Sequence, residues 1–517
     1  MVNPIKIELF KNALSSVAEE MGAVLQRTAF SPNIKERRDF SCAIFDKRGR
    51  MVSQAAHIPV HLGSMPMSVR SVIEKLELNE GDVAVINDPF KGGTHLPDIT
   101  VVSPVYYEGE LLFYVANRAH HSDVGGITPG SMPLSTSIFQ EGIVIPPLKC
   151  VEGGKLREDF LELLEFNTRT PEEREGDFKA QLMANRIGER RLKELIDKYS
   201  PEVLEAYSEA LLDYSERKMR KIISEIPDGT YTFGDFLDDD GFGQNPVRIR
   251  VILEIEGDRA RVDFSPSDPQ VRGCLNAVRS IVISATLYVF RSLSDEEIPT
   301  NEGILRPIEV ITREGTVLDS RFPSAVSGGN VETSQRIVDV LIGALSKAIP
   351  DRVPAASQGT MNNLTIGGIR ENGEAFTYYE TIGGGAGALR GSDGESAVQT
   401  HMTNTLNTPV EVIEYQYPLM VTEYRIRKNS GGEGKWRGGD GIVREYLFLT
   451  ESEVTVLSER RKFSPYGLDG GKPGKRGRNI LIDGEGKEVE LPSKFTMRFK
   501  PGEKLRIETP GGGGYGR

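Results

Sequence analysis

Six histidines occur in the chain, and five of them, His57, His61, His95, His120 and His121, fall within one stretch of 65 residues, whereas His401 stands alone. An even spread would leave fewer than one there. Imidazole is the commonest metal ligand and the commonest acid/base group near neutral pH, so crowding on a His-poor chain points to a site. Local geometry adds an independent reason. Residues 99–107 and 111–119 read as the arms of a hairpin turning at Glu108-Gly109-Glu110, and counting outward from that turn sets Asp98 opposite His120. Cross-strand neighbours of this kind have Cβ atoms roughly 5 Å apart. His95 lies one short loop upstream, in Gly92-Gly-Thr-His-Leu-Pro-Asp98, where the glycines permit close approach and Pro97 stiffens the link. Two imidazoles and a carboxylate at the open end of a hairpin suit a divalent ion. His121 and Asp123 then stand beside it as proton-transfer or substrate contacts. The bland reading keeps His95 and Asp98 as a loop hydrogen-bond pair and His120 and His121 as ordinary strand-end residues.

Nearby lie His57 and His61 in Ala56-His-Ile-Pro-Val-His-Leu-Gly63. Pro59 rules out a helical pair of zinc ligands, so both are candidates for lining the substrate side of a pocket. No thiolate is close enough in sequence to build a structural zinc knot, which favours a catalytic or exchangeable Mn, Zn or Fe ion. His401, with no visible partner, is read as structural.

The elements that position these groups follow from periodicity. Residues 5–26 place apolar side chains at helical spacing, and Ser31-Pro32-Asn33 ends the pattern. Short β-type runs separated by Gly, Pro and Asp turns occupy 40–144, interrupted by one helix over about 64–76. Residues 155–225 are dense in Glu, Lys, Arg and Leu, with breaks at Thr170-Pro171 and Ser200-Pro201, and predict three amphipathic helices forming a solvated layer. A second β run spans 247–264, helices are expected at 276–293 and 333–348, and Gly-rich turns with short strands fill the rest. The class is therefore α+β, with mixed, largely antiparallel sheets, a charged helical layer and several domains. The divisions are 1–150 (carrying the metal site), 151–227 (helical), 228–350 (a second α+β part) and 351–517 (Gly-rich and strand-rich).

Bulk properties exclude several functions. With 63 basic and 75 acidic residues among 517, the net charge is −12, which repels nucleic acid and anionic lipid. The longest uncharged apolar stretch, Ser280 to Phe290, falls well short of the ~20 residues of a membrane helix. Charged residues in the first eleven positions leave no room for a signal peptide. Three scattered cysteines suit a reducing compartment. The expectation is a cytoplasmic protein without nucleic acid or membrane partners.

Longer motifs carry a resemblance. In the N-terminal part they are Arg27-Thr-Ala-Phe-Ser-Pro-Asn-Ile-Lys-Glu-Arg-Arg-Asp-Phe-Ser-Cys-Ala43, His57-Ile-Pro-Val-His-Leu-Gly63, Asn87-Asp-Pro-Phe-Lys-Gly-Gly-Thr-His-Leu-Pro-Asp98 and Ala119-His-His-Ser-Asp-Val-Gly-Gly126. Gly329-Asn-Val-Glu-Thr-Ser-Gln-Arg336, His401-Met-Thr-Asn-Thr-Leu-Asn-Thr-Pro409 and Glu459-Arg-Arg461 follow further along the chain. Together they resemble the hydantoinase B/oxoprolinase family, related to acetone and acetophenone carboxylase subunits, over essentially the whole chain. The resemblance implies His95, Asp98 and His120 as metal ligands and adds Asp39, from the Arg-Asp-Phe-Ser segment, as a fourth. It also implies a two-component machine. A hydantoinase A-type partner uses ATP to phosphorylate the substrate, a cyclic amide or a ketone, and this chain works as the metal-binding half of a hetero-oligomer. Ring opening of a hydantoin, 5-oxoproline or lactam is the favoured chemistry, with ketone carboxylation or a silent scaffold as the alternatives. Consistent with the division of labour, the Gly/Lys-rich stretch at 467–475 lacks the Ser or Thr that a phosphate-binding P-loop requires after its lysine.

Overall fold

The computed structural model describes residues 3–55 and 57–517. Chain order begins with α1 (Pro4–Thr28), a short α2 (Pro32–Lys35), β1 (Phe40–Asp46), β2 (Met51–Gln54), α3 (Ser64–Lys75), β3 (Val83–Ile86), β4 (Asp98–Tyr107), β5 (Glu110–His120), β6 (Leu148–Glu152) and β7 (Lys155–Leu156). These strands make one antiparallel seven-stranded sheet, ordered β2-β1-β5-β4-β3-β6-β7. Side chains alternate across it. Phe40, Cys42 and Ile44 pack on Phe10, Leu14 and Met21 of α1, while Ala43 and Phe45 pack on Met65, Val69 and Val72 of α3. Both faces are covered, which is why these strands read as continuous apolar runs.

Three helices follow, α4 (Glu158–Phe166), α5 (Pro171–Tyr199) and α6 (Pro201–Ser224), broken at the two expected Xaa-Pro steps. Proline opens α5 and α6 because its missing N–H costs nothing in the first turn. The expectation of a solvated layer holds for one face only. Arg174, Asp177, Gln181 and Asn185 of α5 are buried, since this stripe supplies hydrogen bonds to the sheet. Gln181 Nε2 donates to the Ile99 carbonyl at 2.8 Å, and Asn185 Nδ2 to that of Val101 at 3.2 Å.

The second sheet comprises β8 (Gly229–Leu237), β9 (Val247–Glu256), β10 (Arg259–Asp263) and β11 (Ile308–Ile311), with β10 and β11 parallel. Helix α8 (Ser334–Leu345) lies on β8 and β9, and α7 (Arg279–Ser292) packs on α8. The sequence pattern predicts neither the one-turn α2 nor α9 (Val410–Gln416); for α9 the reason is plain. Among its residues only Ile413 is buried, so no apolar period marks it.

The remaining strands are β12 (Asn363–Ile369), β13 (Ala375–Glu380), β14 (Leu419–Arg427), β15 (Gly441–Phe448), β16 (Ser452–Leu457), β17 (Arg478–Ile482), β18 (Glu488–Leu491), β19 (Lys494–Phe499) and β20 (Lys504–Glu508). They form two antiparallel sheets, β13-β12-β16-β19 and β14-β15-β20-β17-β18. The C-terminal glycine run packs backbone on backbone. A Cβ on Gly512 would lie 1.9 Å from the Ala386 carbonyl oxygen, and one on Gly513 2.0 Å from that of Tyr466.

A buried charge cluster joins these parts. Arg460 Nη2 lies 2.6 Å from Asp339 and 2.8 Å from Asp235, with Arg336 packed against the same two carboxylates. Lys494 bonds Glu459, while Asp238 caps the backbone N–H groups of Arg461, Lys462 and Phe463. Asp235, Asp238, Asp339 and Glu459 thus balance Arg336, Arg460, Arg461 and Lys494, and the adjoining Glu332 is left over. Burial pushes its carboxyl up to about 8, with Glu459 adding to the rise. The folded chain therefore holds a proton on Glu332 that the unfolded chain releases above its ordinary value of 4.5. Stability from this group is full at low pH, declines as pH rises, and levels off above the folded value. Urea titrations across that range should show the decline in wild type and a flatter profile in Glu332→Gln, which mimics the protonated acid.

Candidate metal centre

Strand β4 begins at Asp98 and β5 ends at His120, and the two residues are direct register partners as the turn count requires. The turn is tighter than expected, Tyr107 facing Glu110 across Glu108-Gly109, and a bulge between Val105 and Tyr106 shifts the register by one residue to set Asp98 opposite His120. His95 is held by the preceding loop. Asn87 Nδ2 donates to the Leu96 carbonyl at 2.8 Å, and Ser280 Oγ donates to that of Gly93 at 2.7 Å. Gly92 turns there at φ 93°, in a slot where a Cβ would lie 2.4 Å from the Met67 carbonyl carbon.

Three donor atoms converge. His95 Nε2 lies 3.2 Å from Asp98 Oδ1, His120 Nδ1 lies 3.3 Å from the same oxygen, and the two nitrogens are 3.2 Å apart. These separations match the edges of a coordination polyhedron. Four ligands at about 2.0–2.1 Å around a tetrahedral ion stand about 3.3 Å from one another. Asp98 is also reached by His61, whose Nε2 is 3.4 Å from Oδ2, and by Thr94 and Asn330. All three ligand candidates are buried.

Asp39 precedes β1 and arrives from the other side. Its carbonyl accepts the His120 N–H at 3.0 Å, and its carboxylate lies 3.7 Å from Arg37 Nη1. Asp39, His61, Asp98, His120, Asn330 and Tyr379 line a cavity of about 20 Å³, room for about one water-sized occupant. The Tyr379 ring stacks on His120 at 4.3 Å and receives Arg37 on its π-system at 4.8 Å.

Electrostatics are set by burial and by the cluster itself. Burial alone would raise the Asp98 carboxyl, but His95, His120 and His61 outweigh it and hold the group well below the usual carboxylate range. Asp39 goes the other way, because burial exceeds the opposing pull of His120 and Arg37. Burial lowers His61 and His120, favouring the neutral imidazole that a metal needs. Two buried nitrogens, His95 Nδ1 and His120 Nε2, have no hydrogen-bond partner among the described residues. Donor types, spacing and cavity size all fit a divalent ion, with His95, Asp98 and His120 able to hold it and Asp39 placed at the same cavity.

The other sequence candidates lie elsewhere. His57 sits on the α1 face, its Nδ1 accepting the Cys42 N–H at 3.1 Å and its ring 4.9 Å from Phe40; burial lowers it to about 4. His121 is turned toward α5, with Nε2 2.9 Å from Gln181 Oε1, and burial with Arg174 nearby lowers it to about 4. Asp123 accepts the N–H groups of Gly130 at 3.1 Å and Arg169 at 2.9 Å, and pairs with Arg169 Nη1 at 3.0 Å. His401 joins the buried charge cluster, 3.6 Å from Asp339 and 3.3 Å from the Tyr288 hydroxyl. Sequence reasoning missed Ser41, Asn330 and Tyr379. Ser41 Oγ contacts His61 Nδ1 at 2.8 Å, and the other two reach the site from more than 200 residues away, where no local pattern announces them.

A model of the hydantoinase B/oxoprolinase family matches residues 3–517. The chain belongs to that family. A 5-oxoprolinase of Dictyostelium discoideum is 42% identical over 100% of this chain and 40% of its own length, so the chain spans about two fifths of that relative. A Pseudomonas protein whose name makes it the B-type component of a D-/L-hydantoinase is 34% identical, covering 100% of this chain and 90% of its own. The crystal structure of an ATP-dependent caprolactamase from Pseudomonas jessenii superposes with a TM-score of 0.92 at 31% identity, over 100% of this chain and 91% of that one. Among the described residues no helix is long and apolar enough to cross a membrane.

Proposed function

We propose that this family member is the metal-binding, B-type component of an ATP-dependent cyclic-amide hydrolase, opening a hydantoin, 5-oxoproline or lactam ring. A separate A-type component activates the substrate. The observation that carries the reading is the close-set buried donors of His95, Asp98 and His120, of which Asp98 and His120 line one small cavity together with Asp39. The 34% identity to a B-type hydantoinase component, covering 90% of that relative, supports the B-type reading.

A ring amide is resonance-stabilised and a poor electrophile. Phosphorylating its carbonyl oxygen makes the carbon electrophilic; water adds to it, the ring C–N bond breaks as the nitrogen takes up a proton, and a second water hydrolyses the resulting acyl phosphate to carboxylate and phosphate. A divalent ion, Mn, Zn or Fe, would supply Lewis-acid polarisation and a lowered pKa for water at this point. The chain's own residues do the rest. Asp98, held by three imidazoles, fixes the ligand geometry. His61 faces the same cavity with Nδ1 tied to Ser41, so it is the imidazole positioned to touch substrate and pass a proton at Nε2. His57 braces β1 against α1. In this reading His121 and Asp123 hold the loop after His120 rather than entering the reaction. The 20 Å³ cavity takes no substrate as it stands, so the partner or the substrate must open it.

Mixing the chain with an A-type partner, ATP and 5-oxoproline, hydantoin or caprolactam should give ring opening coupled to ADP release. ATP turnover without ring opening for any of these would refute the reading. His61→Gln should lower turnover by about 10²–10⁴-fold while retaining bound metal, checked by elemental analysis beside the activity assay. Loss of the metal as well would move His61 among the ligands. Unaltered ring opening by a folded, metal-free variant would leave only a scaffold role.

A further inference from the structure

A second polar cavity, of about 100 Å³, lies between α1, β2 and the end of α7. Gln54 lines it opposite Ser15 and Glu19, so it opens on the α1 side of the sheet, and it shares no lining residue with the metal centre. Its floor is Gln54, 4% exposed, with neither amide atom bonded among the described residues. Arg291 forms a wall. Its Nη2 reaches only the Ile298 carbonyl, at 3.4 Å, and its Nε is buried without a partner among the described residues. The mouth carries Lys11, paired with Glu8 at 2.6 Å and 3.8 Å from Glu297, together with Ser15 and Glu19.

Buried polar groups are almost always bonded, and a side-chain amide left open at both ends is rare. Gln54 Nε2 and Arg291 Nε are donors and call for an acceptor, such as a carboxylate. Gln54 Oε1 is an acceptor and calls for an N–H. A simple anion would satisfy the first pair and leave the third atom open; a simple cation would do the reverse. The mouth offers charge of both signs, Lys11 against Glu19 and Glu297.

We propose that this cavity is a binding site for a small molecule carrying both a carboxylate and an N–H donor, that is, an amino acid or a related amide-bearing acid. The carboxylate lies on Arg291 and Gln54 Nε2, the nitrogen donates to Gln54 Oε1, and the mouth residues close over it. Nothing in the assignment depends on the chemistry at the metal centre.

Titration calorimetry of the intact chain with glycine, acetate and methylammonium tests it. Glycine should bind, and more tightly than acetate by roughly tenfold or more, with methylammonium silent. Gln54→Leu and Arg291→Met should each abolish the glycine signal, as should Ser15→Leu, which plugs the mouth without touching the floor. Circular dichroism confirms that the variants fold. Equal binding of glycine and acetate would reduce the site to an anion hole and overturn the proposal, as would no binding of any probe, which would mark a hydrated cavity. Glycine binding that survives all three substitutions would place the site elsewhere and overturn it as well.

Discussion

Asp98→Ala will give a folded chain that retains no metal and supports no ring opening, a loss of at least about 10³-fold, the scale on which preorganised charge at an active site is lost. The carboxylate is the hub of the centre. Its Oδ1 meets His95 and His120 at 3.2 and 3.3 Å, and its Oδ2 meets His61 at 3.4 Å. Without it, three buried imidazoles face one another with no negative charge to hold a dication. The strand itself should survive, because β4 is hydrogen-bonded on both edges, by β3 and by β5. Elemental analysis after dialysis, circular dichroism and the coupled assay together separate loss of metal from loss of fold. Asp39→Asn should weaken metal binding less, since Asp39 touches the cavity from outside the close-set triad.

Arg460→Met is expected to destabilise the protein by about 3–5 kcal/mol, the cost of leaving buried carboxylates without their partner. Arg460 lies fully buried, between Asp339 on α8 and Asp235 on β8, and so ties the second sheet to the C-terminal half. Removing it leaves Asp235 to Arg336 at 3.6 Å, and Asp339 to Arg336 at 3.8 Å and His401 at 3.6 Å. Equilibrium urea unfolding checks the magnitude. A change of less than about 1 kcal/mol, the worth of a surface pair, would mean that the cluster does not bind these parts together. Replacing Arg460 and Asp339 together by apolar residues should recover much of the loss, because a paired buried charge adds little over a well-packed apolar pair.

The candidate metal centre was legible because it is local. His95, Asp98 and His120 fall within one hairpin and its leading loop, and the turn at Gly109 together with the bulge between Val105 and Tyr106 sets the register that joins Asp98 to His120. Breaks between the charged helices were equally plain, since Thr170-Pro171 and Ser200-Pro201 leave few other readings. What escaped has a common cause. Tyr379 and Asn330 reach His120 and Asp98 only through the tertiary fold. The charged texture of this segment reads as a solvated layer, yet Arg174 and Asp177 of α5 are fully buried, Arg174 bonding Ser122 and Asp177 accepting the N–H groups of Phe30 and Ser31. Charge content predicts exposure only where no neighbouring group supplies a partner. Likewise His401, lone in sequence, acquires Asp339 and Tyr288 from distant helices. The C-terminal glycine run, read as turns, is a set of contacts between backbones.

The central claim is that His95, Asp98 and His120 hold a catalytic ion. The most direct test is anomalous diffraction from a crystal of the protein as purified, recorded across the absorption edges of Mn, Fe and Zn. The account predicts a single strong peak at the cavity, about 2.0–2.3 Å from His95 Nε2, Asp98 Oδ1 and His120 Nδ1, absent from Asp98→Ala crystals. Ordered side chains with no anomalous peak at this position, in protein that opens the ring with its partner and ATP, would contradict it.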